Sequence, residues 1–132
     1  MANYRWLRWA GMLPASLLSF FLAIQLLRLI HHFGPSVEQP TLLGSLIWYV
    51  LFPAISHATF TFVGAVVAPI RSWLIGGALV VLSFLIASFQ MTGLLIDRGL
   101  SLWNLVFVGS ALAGAIAGVL VERLRLISSK AT

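Results

Sequence analysis

The sequence predicts an all-α integral membrane protein, a bundle of four helices that run alternately up and down across a bilayer. Of its 132 residues, 61% are hydrophobic and only 8% are charged, whereas an ordinary soluble domain carries roughly 25% charged residues. Four apolar stretches are each long enough to cross the hydrocarbon as a helix, which takes about 20 residues. Because the links between them are short, we expect residues 1–132 to form a single transmembrane domain.

The predicted spans cover approximately residues 9–30, 42–68, 73–96 and 100–121. Their apolar runs are unbroken, whereas the strands of a membrane β-barrel alternate over about 10 residues. A helix also satisfies every backbone hydrogen bond within one segment. The first span lacks a small-residue cleavage motif after its apolar region, which favours a retained helix over a signal peptide.

Short links separate consecutive spans. Residues 33–40 contain one glycine and two prolines and end the first helix, with Pro40 or Thr41 at the first turn of the second. Residues 69–71 and 97–99 are tight connections. Connections this short make consecutive helices antiparallel neighbours.

The distribution of Lys and Arg predicts the orientation of the bundle. With four crossings, Arg28 and Arg98 fall on one side, together with the acidic residues Glu38 and Asp97. The other six cations fall on the side of the two termini: Arg5, Arg8, Arg71, Arg123, Arg125 and Lys130. Cytoplasmic loops carry the excess of Lys and Arg, so we expect both termini in the cytoplasm.

The second span carries the clearest candidate for chemistry inside the membrane. Pro53, His57, Thr61 and Gly64 follow one another at offsets of four, four and three, which brings them to one helix face. Pro53 cannot donate a backbone hydrogen bond and frees a carbonyl near Tyr49, so a kink is expected there. An ionisable residue at the depth of His57 is a functional candidate by default. The alternatives are a proton relay or ligand contact, and a structural imidazole bonded to a neighbour.

A second polar set lies near the outer ends of the first and third spans: Gln25, Arg28, His32 and Gln90. These side chains are candidates for an outward-facing pocket that binds an anionic ligand or lipid headgroup, with Arg28 as its cation. The alternative is that Arg28 extends to the headgroups while its stem stays in lipid, or pairs with Glu38 or Asp97.

Small residues mark a packing face on the fourth span. Ser110, Gly114 and Gly118 recur every four residues, and the two glycines form a GxxxG pair. Such pairs let helix backbones approach closely, which is how helices associate in lipid. The partner helix is expected either within the bundle or in a homo-oligomer or larger complex.

Several functional classes are disfavoured. The chain has no cysteine, and His31 and His32 lie far in depth from His57, so we expect no haem, metal or other cofactor. The acidic residues at the membrane edges cannot join His57 in a catalytic triad, so we predict that the protein is not an enzyme. The pI of about 11.3 does not indicate nucleic acid binding, because the cations are scattered at helix ends.

Residues 62–69, followed by Arg71, resemble a segment of small bacterial membrane proteins. The resemblance implies a bacterial inner-membrane location and carries no function. Two functional hypotheses remain. The first is a non-catalytic subunit or accessory protein of a membrane complex, indicated by the glycine face. The second is a small homo-oligomeric transporter or channel that uses the face around His57 and the cluster at Arg28.

Overall fold

A computed structural model describes residues 3–33, 42–70 and 72–131, and every regular element in these ranges is a helix. The elements are α1 (Asn3–Phe33), α2 (Leu42–Leu46), a π-helical turn (Ile47–Leu51), α3 (Phe52–Val67), α4 (Trp73–Arg98) and α5 (Leu102–Lys130). Because α2, the π turn and α3 follow one another directly, they form one span, and the described ranges then contain four helices long and apolar enough to cross a membrane. The predicted fold class is thereby confirmed.

The outermost helices extend beyond the predicted spans. α1 begins at Asn3 rather than near residue 9, and α5 continues to Lys130 rather than ending near residue 121. Hydropathy locates the hydrocarbon, whereas a helix ends only where its backbone hydrogen bonds end. The arginines and lysine that flank these spans have good helix propensity, so the helices continue past the apolar stretches.

The second span is irregular next to Pro53. The N–H of Phe52 donates to the carbonyl of Ile47, five residues earlier, which closes the π turn. Pro53 has no N–H to donate, so the α-helical ladder cannot pass through it unchanged. One turn on, the Ser56 hydroxyl donates to the carbonyl of Phe52.

The turn between α4 and α5 covers residues 99–101, so Asp97 and Arg98, which were predicted to belong to the turn, are the last residues of α4. Gly99 has a φ of 74°, which favours glycine, and its N–H donates to the carbonyl of Leu95 at 3.0 Å. Asn104, which is buried, holds this turn: its side-chain amide donates to the carbonyl of Gly99 at 2.9 Å. The link from 69 to 71 is also short, although Arg71 lies outside the described residues, as do Glu38, Pro40 and Thr41.

α3 is the central helix of the bundle and packs against α1, α4 and α5, while α5 also packs against α4. Contacts at the two ends fix the directions of the helices. Arg8, near the start of α1, bonds the carbonyl of Val67 at the end of α3, and His31, near the end of α1, meets Trp48 edge to face. α1 and the second span are therefore antiparallel.

Small residues, more than large ones, allow the helices to meet. Among the described residues, the large buried apolar side chains form one small cluster of Phe20, Phe60 and Leu79. Around it, Gly64 lies so close to its neighbours that an added Cβ would be 2.6 Å from the Ser16 hydroxyl on α1 and 2.8 Å from a Leu79 methyl on α4.

Candidate functional site

His57 occupies the centre of the bundle, with only 1% of its surface exposed. Its position on α3 faces α4, where two polar side chains seven residues apart meet it. Nδ1 lies 2.6 Å from the Ser83 hydroxyl, and Nε2 lies 3.3 Å from Oε1 of Gln90. Phe20 of α1 closes the third side, edge to face, with 5.1 Å between ring centroids.

The geometry of this triad suits a neutral imidazole. A ring protonated on Nε2 donates to the amide oxygen of Gln90, and its Nδ1 accepts from the Ser83 hydroxyl. Both ring nitrogens are thus matched, in a region where an unmatched polar group costs several kcal/mol. We call His57, Ser83 and Gln90 the central triad.

Thr61 extends the polar contacts of α3 towards α5. Its hydroxyl lies 2.8 Å from the carbonyl of Ala115, and 3.1 Å and 3.2 Å from the carbonyls of His57 and Ala58 on its own helix. A hydroxyl has one proton to donate, so it is shared among these carbonyls. Thr61 therefore links α3 to α5 just as His57 links α3 to α4.

The face of α5 that carries the glycines lies against α3. A Cβ built on Gly114 would overlap the backbone of Ala54, lying 2.6 Å from its Cα. A Cβ on Gly118 would overlap the carbonyl of Ala58 and the hydroxyl of Thr61. Ser110, one turn earlier, is half-buried.

The outer polar set is divided by the structure. Gln25, Arg28 and His32 are exposed on α1, whereas Gln90 turns inward and bonds His57. The pairing of Gln90 with His57 is not apparent from the sequence, because it depends on how α4 packs against α3. The proposed pairing of Arg28 with Glu38 involves a residue outside the described ranges.

Glu122 is a buried acidic residue that the sequence motifs do not single out. It is 2% exposed, and its carboxylate accepts from Nε of Arg125 at 2.9 Å. It lies beside the first turn of α4, in a small cavity shared with Ser72 and Arg123. One signal was present: Glu122 follows Gly118 by four residues, so it continues the small-residue face of α5.

The bundle end that holds Glu122 also carries Arg5 and Arg8 of α1 and the three cationic side chains of α5. Arg8 donates from Nε to Val67 at 3.0 Å and from Nη2 to Val66 at 3.1 Å, which satisfies carbonyls left open at the end of α3. Arg123 lies over the ring of Trp73, with its guanidinium carbon 4.7 Å from the centroid. We call this region the basic end, defined by Arg5, Arg8, Arg123, Arg125 and Lys130.

Within the described parts of the chain, no three histidine or acidic side chains are grouped so that they could hold a metal ion. Comparison of the chain with protein-family models, with curated proteins and with solved structures gave no match.

Proposed function

We propose that the protein is a non-catalytic subunit or accessory component of a larger membrane complex. The observation that carries this proposal is the closure of the central triad: both ring nitrogens of His57 are engaged by α4. A proton relay or ligand site needs polar atoms that can exchange partners, whereas these atoms hold one helix to another. The same applies to Thr61, whose hydroxyl contacts the backbone of α5.

The glycine face of α5 is occupied within the bundle and is not open to a partner. Gly114 and Gly118 fit against α3 of the same chain, so we assign the GxxxG pair to packing within the bundle. Contacts with other proteins then fall to the exposed surfaces, which on α1 and α4 are rich in large apolar side chains.

The proposed location is the cytoplasmic membrane of a bacterium, with the basic end and both termini in the cytoplasm. The absence of cysteine from the sequence allows a direct test by single substitutions. Ala131→Cys should react with a membrane-impermeant maleimide only after the cells are opened. Leu100→Cys, in the turn at the opposite end, should react in intact cells, and the reverse pattern would overturn the assignment.

Affinity purification of the tagged full chain in mild detergent tests the subunit proposal. We expect a membrane protein to co-purify in a fixed stoichiometric ratio. Gly114→Ala, which disturbs the α3–α5 contact, should lose that partner, while the matched variant Gly109→Ala should retain it, because nothing lies within 4 Å of a Cβ at that position. Equal capture by both variants would mean that binding does not depend on the α3–α5 contact, and that result counts against the proposal.

A small homo-oligomeric transporter is the second candidate, and the π turn favours it. π-helical turns are frequent at functional sites, and this one, Ile47–Leu51, precedes Pro53 and His57 closely. A homodimer without other partners, whose reconstituted vesicles conduct protons or a solute, would support this candidate. If the protein is a transporter, His57→Ala should abolish the flux while the amount of protein in the membrane stays normal. If His57 is only structural, the variant should still capture the partner protein.

A further inference from the structure

We propose that the basic end binds the headgroups of anionic phospholipids. Five cationic side chains lie there on α1 and α5, and Glu122 is the acidic residue that accompanies them among the described residues. Positive charge near an anionic membrane surface attracts its lipids over about one screening length. On the other side, the sequence has two cations, Arg28 and Arg98, and two acidic residues, Glu38 and Asp97.

The depth of these cations matches that of lipid phosphates. α5 has 29 residues, or about 43 Å at 1.5 Å per residue, so it exceeds a hydrocarbon core of about 30 Å. Its last turns, with Arg125 and Lys130, therefore extend into the headgroup region. On α1, Arg5 and Arg8 are three residues apart and occupy the corresponding level.

Exposed tryptophans support a lipid partner in preference to a soluble anion. Trp6, Trp9 and Trp73 are 60%, 45% and 64% exposed, and such rings favour the headgroup level. The cations are also spread over two helices and do not converge on one pocket. A distributed set suits several headgroups around the bundle, whereas a free anion would need convergent donors.

The cationic side chains of the basic end differ in how far they are exposed and available to a headgroup. Arg125 is 52% exposed although it bonds Glu122, and a guanidinium with five donors can hold a carboxylate and a phosphate together. Arg5 and Lys130 are also exposed. We therefore assign the main headgroup contacts to these three residues, while Arg8 holds the end of α3.

Native mass spectrometry of the purified full chain can test this proposal. The protein is offered equal amounts of phosphatidylglycerol and phosphatidylcholine with identical acyl chains. We expect phosphatidylglycerol to bind preferentially, and each cation removed to lower that preference by up to about fivefold. The triple variant R5Q/R125Q/K130Q should abolish it while helicity by circular dichroism stays unchanged.

Arg5→Gln and Arg28→Gln form a matched pair, because both arginines are exposed on α1 at opposite ends. Only Arg5→Gln should reduce the preference. Raising the ionic strength from about 0.1 M to about 1 M shortens the screening length from about 10 Å to about 3 Å and should weaken it too. Equal binding of the two lipids, an equal effect of the two variants, or a preference insensitive to salt would overturn the proposal.

Discussion

The second and fourth spans differ from the first and third in how much of each is buried. In the most apolar window, a third of the second and fourth spans is buried, against 11% of the first and 17% of the third. Yet the mean hydropathies are close, at 1.8 and 2.1 against 1.9 and 2.2. In lipid, apolar character does not distinguish the interior from the periphery. Small and polar residues do, because they need a close backbone or a hydrogen-bonding partner.

The contact between α3 and α5 should be the place in the bundle where a substitution lowers the free energy of unfolding most. Gly114→Ala places a methyl group against the backbone of Ala54, which can only be relieved by moving α5 away from α3. We expect a loss of about 3 kcal/mol in the free energy of unfolding, measured by titration with a denaturing detergent.

Gly109→Ala on the same helix is the control for that measurement. Its Cβ meets open space, so the variant should be neutral or gain up to about 1 kcal/mol from helix propensity. Equal losses in the two variants would mean that α5 is sensitive to alanine in general, and the contrast between central and peripheral spans would lose its basis.

The attachment of the first span to the second should depend on Arg8. Arg8→Ala removes two hydrogen bonds to the carbonyls of α3. It should lower the free energy of unfolding by up to about 1 kcal/mol, the magnitude expected for a cation at a helix C-terminus. Arg5→Ala, three residues earlier, should leave the free energy of unfolding unchanged. Comparable losses would show that charge density, and not the capping contact, matters at this end.

The attachment of the third span to the second should show as a small coupling energy. A double-mutant cycle with His57→Ala and Ser83→Ala isolates their hydrogen bond. We expect about 0.6 kcal/mol, the average for such bonds in a membrane. The control cycle pairs His57 with Ser88, whose hydroxyl bonds Phe84 on its own helix, and it should give zero.

Particular residues show how far prediction from the sequence extends. The polar face of the second span and the glycine face of the fourth were predictable, because a helix places residues three and four apart on one side. That these two faces meet was not, since either could have faced another protein. Gln90 and Glu122 show the same limit. Their contacts depend on how neighbouring helices pack, and the periodicity of a single helix does not predict that packing.

The sequence by itself determined the all-helical class and the four apolar spans, because each depends on local composition and on the length needed to span hydrocarbon. It also predicted a kink near Pro53, and the structure has a π-helical turn, Ile47–Leu51, just before this residue, which lacks an N–H. The tertiary structure decided which spans are central and how His57 is satisfied. Those choices depend on the rotation of each helix about its axis, which in lipid is set by a few close contacts and hydrogen bonds.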